Sequence, residues 1–131
     1  MKKIIYPAIF EAEEEGFSVF FPDLQGCNTE GDTLEEALEM AKDALSLYIF
    51  SLFEDKKEIP KASLPSKFKA ESENGFVSII EFDLIEYRKK YDKKSVKKTL
   101  TIPNWLNIMA EESNINFSNV LQKALKKELK I

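Results

Sequence analysis

The 131-residue chain contains no histidine, one cysteine and only four glycines, and no apolar run approaches the roughly 18 residues that suggest a membrane span. Without histidine it lacks the side chain that titrates nearest neutrality and the commonest transition-metal ligand. Acid–base chemistry would have to rest on retuned carboxylates or lysines. A single cysteine excludes an internal disulfide. The opening Met1-Lys2-Lys3-Ile4-Ile5 is basic and then apolar, but charges from Glu11 onward leave it too short for a secretion signal, so a cytoplasmic protein is expected. No internal repeat or low-complexity stretch appears.

Basic side chains are scarce in the first 55 residues, and the balance reverses after them. Residues 1–55 carry 13 acidic and 3 basic side chains, a net of −10, and residues 56–131 carry 10 acidic and 16 basic, a net of +6. Two surfaces of opposite sign suggest two kinds of partner: a basic protein for the first, a phosphate backbone for the second.

Along the first half, Ile4 to Glu13 and Phe17 to Phe21 are apolar-rich runs separated by Glu14-Glu15-Gly16, which predicts a β-hairpin. Pro22 to Gly31 reads as a loop. Asp32 stands three residues before Glu35, a capping-box-like start for a helix whose apolar stripe is Leu34, Ala37, Leu38, Ala41, Leu45, Tyr48 and Leu52. Asp55 to Ser72, with Pro60 and Pro65, reads as an irregular connection, Gly75 to Asp83 as a third strand and Leu84 to Tyr91 as a short helix. Three antiparallel strands under one long helix make an α+β layer.

The tail carries the most specific pattern. In Lys97-Lys98-Thr99-Leu100-Thr101-Ile102-Pro103 the period of a strand sends Lys97, Thr99 and Thr101 one way and Lys98, Leu100 and Ile102 the other. Pro103 ends the strand where a helix starts. That helix is expected from Asn104 to Ser113, with Leu106, Met109 and Ala110 inward. Asn114 supplies a left-handed turn, and Asn116 caps a second helix with Val120, Leu121, Ala124, Leu125 and Leu129 on its core face. About 40 residues are near the lower limit for a self-sufficient core, and a lone strand leaves both edges unpaired. A twofold dimer pairing two such strands over four helices satisfies both needs, and a two-stranded ribbon fits the DNA major groove.

Residues 97–129 resemble the ribbon-helix-helix DNA-binding module. The block before it, with Tyr6-Pro7 and the run Phe20-Phe21-Pro22-Asp23-Leu24-Gln25-Gly26-Cys27-Asn28-Thr29-Glu30-Gly31-Asp32-Thr33-Leu34-Glu35-Glu36-Ala37, resembles the HicB family of antitoxins. The resemblance implies an α+β fold with residues 1–87 as a reduced ribonuclease-H-like, toxin-neutralising domain. Residues 88–95 would be a basic hinge and residues 96–131 a ribbon-helix-helix dimerisation domain. It also implies a partner, a HicA-type ribonuclease toxin, against which a carboxylate-studded surface would mimic RNA phosphates. Glu11, Glu13, Glu14 and Asp23 are the expected contacts. Lys98 departs from the family pattern, which is apolar at that inward position, and its amine is expected to snorkel outward.

Operator DNA is the second expected partner. Lys97, Thr99 and Thr101 would read bases, since lysine donates to guanine and threonine offers a hydroxyl and a methyl. Lys94, Lys98 and the helix start at Ser118 and Asn119 would meet phosphates. Asp23, Asp32 and the Glu11 to Glu15 cluster could in principle form a metal-dependent nuclease constellation, but Asp32 reads as a cap and the glutamates as a hairpin tip. Cys27, with no histidine to activate it, reads as a small buried thiol. The expectation is therefore a non-enzymatic antitoxin and autorepressor. It needs no cofactor or metal, avoids membranes and dimerises through its tail, with dimer or tetramer left open. A small-ligand-controlled repressor is the rival reading.

Overall fold

The computed structural model describes residues 3–131; Met1 and Lys2, the start of the basic opening, lie outside it. The chain divides into two compact units, Met1–Asp92 and Lys93–Ile131. In the first, strands β1 (Lys3–Ala12), β2 (Phe17–Phe20) and β3 (Asn28–Gly31) lead into helix α1 (Leu34–Glu54). A single turn of 3₁₀ helix (Pro65–Lys67), strand β4 (Phe76–Asp83) and helix α2 (Leu84–Tyr91) follow. The sheet is antiparallel with order β3-β2-β1-β4. Among the described residues, no helix is long and apolar enough to cross a membrane.

The expected hairpin, third strand and short helix are all present, but the sheet has four strands rather than three. The additional strand, Asn28-Thr29-Glu30-Gly31, lies inside the stretch read as a loop. Its composition gives little strand signal, since asparagine and glycine are depleted in sheets. It forms because the Phe21–Cys27 turn closes on itself, Phe21 N–H donating to the Cys27 carbonyl at 3.1 Å and Cys27 N–H to the Leu24 carbonyl at 3.0 Å. That closure returns the chain beside β2, with Phe20 opposite Asn28. Pro7 sits in the middle of the long β1. β2 pairs with β1 only from Ile9 onward, so Pro7 occupies a stretch with a strand on one side alone, where a residue lacking an N–H is tolerated.

The core lies between the sheet and α1. Ala37, Ala41, Leu45 and Ile49 are buried on the helix, against Tyr6, Ala8, Phe10, Val19, Ile80 and Phe82 on the strands. The predicted stripe is thus corrected at two places: Ile49 joins the core, and Leu34 and Leu38 each stay 39% exposed. They lie in the first two turns of α1, where the outermost strand is only four residues long and offers little surface to cover them. The helix cap is also corrected. Thr33 accepts the Glu36 N–H at 3.1 Å, so Asp32 stands one residue outside the capping position. α2 is pinned by rings, Tyr87 packing on Phe50 at 4.7 Å and on Phe82 at 5.9 Å between centroids. Its last residues, Arg88 to Tyr91, were expected to begin the hinge.

The second unit contains α3 (Asn104–Glu112) and α4 (Phe117–Leu129). Asn114 adopts the left-handed conformation at φ 55°, and the Asn116 Oδ1 accepts the Asn119 N–H at 3.0 Å, both as the sequence predicts. Residues 97–102 form no ladder within the single chain, since a strand exists only against a partner strand. No residue of this unit is buried: Val96 is 79% exposed, Trp105 63% and Leu129 63%.

Two glycines set how closely the first unit packs. A Cβ on Gly16, itself at φ +85°, would stand 2.0 Å from the Gly31 carbonyl oxygen, and a Cβ on Gly31 would stand 2.4 Å from the Ala37 nitrogen. The hairpin tip, the end of β3 and the start of α1 are therefore in backbone contact. Gly31→Ala should destabilise the unit by about 1–3 kcal/mol through overpacking, read as a lowered urea midpoint with an unchanged slope.

Candidate functional site

The acidic residues divide into two groups. Glu11 is bound internally: its carboxylate accepts from the Glu71 N–H (2.8 and 3.1 Å), the Ser72 N–H (3.0 Å) and the Ser72 hydroxyl (2.7 Å). The same Ser72 oxygen accepts from the Ala12 N–H at 2.9 Å. This clamp fixes the chain ahead of β4 to the end of β1. Hydrogen bonding from the Glu71 and Ser72 backbone holds the Glu11 carboxyl below the usual carboxylate range. Asp23 does the same for an earlier part of the connection, accepting from the Ser63 N–H (2.9 Å) and hydroxyl (2.7 Å). Beside it the Tyr6 hydroxyl donates to the Pro60 carbonyl. The connection that reads as irregular is thus tied down at Pro60, Ser63 and Glu71–Ser72.

Glu13 and Glu14 are exposed at the hairpin tip, and Glu13 accepts from the Ser18 hydroxyl at 2.9 Å. The backbone contact between Gly16 and Gly31–Asp32 brings this tip against the start of α1. Glu15, Glu30, Asp32, Glu35 and Glu36 are exposed in the same two segments. No lysine or arginine occurs between residues 4 and 41, so nothing in either segment neutralises this face. The half-exposed Leu34 and Leu38 lie among these carboxylates. The sequence alone does not group Glu30, Asp32, Glu35 and Glu36 with the hairpin tip, because capping and the helix dipole already explain acids at a helix start. The Gly16-to-Gly31 spacing was the available signal.

Cys27 is 3% exposed, and burial pushes its thiol up to about 11, which removes it as a nucleophile at neutral pH. Among the described residues no three acidic or cysteine side chains converge as metal ligands. A groove of about 860 Å³ between α1 and α2 is lined by Lys3, Lys42, Glu81, Glu86, Tyr87 and Tyr91 among others. Lys3 and Glu81, on the paired strands β1 and β4, form an ion pair in its lining at 3.3 Å. It has no buried polar group aimed inward, which a small-molecule site would need for orientation.

In the second unit Lys94, Lys97, Lys98, Thr99, Thr101, Ser118 and Asn119 are all exposed. Ser118 accepts from the Gln122 side chain at 3.1 Å, and the Asn119 N–H is used by the Asn116 cap.

A family model for the HicB-like antitoxin of bacterial toxin–antitoxin systems matches residues 6–125. A Haemophilus phage HP1 protein of 14.9 kDa, uncharacterised, from the rep-hol intergenic region is 33% identical over 95 residues, 71% of each chain. Antitoxin HicB 2 of Photorhabdus laumondii is 50% identical over 62 residues, 47% of this chain but only 45% of its own length. Among solved structures, a chain of a toxin–antitoxin complex from Streptococcus pneumoniae superposes with a TM-score of 0.59 at 29% identity, covering 97% of this chain and 99% of that one. A chain of a HicA3–HicB3 toxin–antitoxin complex covers 61% of this chain and 99% of its own, with a TM-score of 0.51 at 27% identity.

The Glu11 clamp has a pH signature. Its folded-state pKa is lowered, so the stability it contributes is present above the unfolded carboxylate range and is lost as pH falls through the folded value. Glu11→Gln, which cannot accept on both oxygens, should lower Tm at pH 7, and the gap from the parent should close progressively toward pH 3. A gap that persists unchanged in acid would show that the charge plays no part.

Proposed function

The chain belongs to the HicB-like antitoxin family of bacterial toxin–antitoxin systems, and from that premise we propose that it neutralises a HicA-type ribonuclease toxin and represses its own operon as a dimer. The carrying observation is the acidic face, free of lysine and arginine, where the β1–β2 tip meets the start of α1. Such a face suits a basic RNA-binding protein, whose phosphate-binding surface it can occupy. Inhibition then requires no catalytic group on the antitoxin, and the protein acts as a regulator rather than an enzyme.

Within this reading Glu13 and Glu14 contact the toxin directly, joined by Glu30, Asp32, Glu35 and Glu36. Leu34 and Leu38 supply the apolar centre that a stable interface needs. Glu11 and Asp23 act one step back, holding the connections that keep the sheet in shape. The unit is a ribonuclease-H-like sheet put to binding use. The solved toxin–antitoxin complexes with chains of similar fold support this reading.

The second unit supplies dimerisation and DNA recognition. Leu100, Ile102, Leu106, Val120 and Leu125 are 42–57% exposed in one copy. Two copies pairing residues 97–102 antiparallel would cover that apolar surface and align Lys97, Thr99 and Thr101 on the opposite face of one ribbon. Ser118 and Asn119 at the start of α4, with Lys94 and Lys98, then meet phosphates. Cytoplasmic operation follows from both partners.

Two measurements test the two halves. Reversing Glu14, Asp32 and Glu35 to lysine should cut toxin affinity tenfold or more, about 1.4 kcal/mol, chiefly through slower association. Calorimetry against the basic protein encoded beside the gene, together with loss of rescue from growth arrest, reads this out. Thr99→Ala with Thr101→Ala should reduce discrimination between the protein's own upstream DNA and scrambled duplex by about 1–3 kcal/mol per lost base contact, with the dimer mass unchanged in sedimentation. Unaltered discrimination would place base reading elsewhere.

A further inference from the structure

Within Lys93–Ile131 the lysines fall at both ends, Lys123, Lys126, Lys127 and Lys130 at the far end being offset by Glu111, Glu112 and Glu128. Lys93, Lys94, Lys97 and Lys98 place four charges in six residues, whereas residues 99–131 hold four basic and three acidic side chains, a net of +1. α3 contains Glu111 and Glu112 and no basic residue. The first turn of α4 is uncharged, and Lys126 and Lys127 lie in its last turn, where the helix dipole already favours cations. Arg88, Lys89 and Lys90 have the same local explanation in the last turn of α2, with Lys90 also 5.3 Å from the Tyr91 ring centroid. Residues 93–98 belong to no helix, and all are exposed. Summed over the two helices the charge nearly cancels, and the lysines of α4 lie toward its C-terminal end, away from the ribbon segment in sequence.

Duplex affinity at physiological salt comes largely from lysines and arginines that neutralise phosphates. We propose that Lys93, Lys94 and Lys98 form a phosphate-binding arm ahead of the ribbon, supplying most of the affinity for duplex DNA and none of its sequence preference. The inference rests on the DNA-binding reading above and divides its labour. Lys97 shares a strand face with Thr99 and Thr101, where it can reach base edges. Lys98 falls on the opposite face with Leu100 and Ile102 and cannot read bases. Its four-carbon stem can lie over those apolar side chains while the amine reaches the flanking backbone. Lys93 and Lys94 already have interactions within the chain, and both side chains are exposed, where polar and ionic contacts are worth little and exchange readily for phosphate.

Each phosphate neutralised adds about 0.9 to the slope of log affinity against log salt, so three lysines on each of two subunits contribute about 5. The test titrates the full-length protein against its own upstream duplex and a scrambled one, by fluorescence anisotropy from 50 to 300 mM salt. Lys93→Gln, Lys94→Gln and Lys98→Gln together should flatten both slopes by about 5 while the ratio of the two affinities holds within threefold. The corresponding arginine variants should restore the slope. An unchanged slope, or a loss that arginine does not repair, overturns the arm and leaves operator reading intact. A parent protein that binds both duplexes equally, with the slope still falling in the glutamine variant, overturns operator reading and leaves the arm standing. A parent protein that binds neither duplex overturns both.

Discussion

Apolar surface that a single copy cannot cover is the constraint on which the second unit depends. In α3 and α4 every residue retains solvent contact, including Trp105, Leu106 and Val120. Burial of apolar area is the dominant favourable term in folding, at about 25 cal/mol per Å². The caps at Asn116 and the left-handed turn at Asn114 are satisfied locally. They define where each helix begins and ends but contribute no core. A unit with well-formed helix ends and no interior has its remaining stabilisation outside itself, which is why a second copy is central to the proposed function.

The first unit is built the opposite way. Tyr6, Phe10, Leu45, Ile49 and Phe82 are almost fully buried, and α1 lies close to the strands because Ala37 and Ala41 leave room for it. Its polar work is done by carboxylates. Glu11 and Asp23 each collect backbone and serine donors, converting a 21-residue connection with one helical turn into a fixed surface. Glu14, Glu15, Glu30, Asp32, Glu35 and Glu36 by contrast are exposed to solvent. One residue type thus serves both as internal fastener and as outward charge, and position relative to the irregular connection decides which.

The chemistry available to the chain agrees with a role exercised through surfaces. The lone thiol is buried with a raised pKa. Histidine is absent. Seven of the solvent-exposed carboxylates, Glu13, Glu14, Glu15, Glu30, Asp32, Glu35 and Glu36, fall at the hairpin tip and around the start of α1, a placement that suits recognition of a positively charged partner. Membership of an antitoxin family and the uneven charge distribution are the two observations on which the proposed toxin contact rests.

Much of the architecture was legible in the residues. Apolar-rich and β-branched runs located β1, β2 and β4, helical spacing of apolar residues located α1, α3 and α4, and single asparagines marked the turn and cap between α3 and α4, because these features depend on local geometry that each residue type imposes by itself. The charge split between the halves was equally plain. Three things were decided only by tertiary structure. β3 forms from a strand-poor segment because a closed turn carries it alongside β2. Thr33 rather than Asp32 caps α1 because the end of β3 sets where the helix begins. Glu11 and Asp23 turn inward because residues 40 to 61 positions away supply their donors. Local sequence determines which elements can exist; which carboxylates remain free to meet a partner depends on contacts that exist only once the chain has folded.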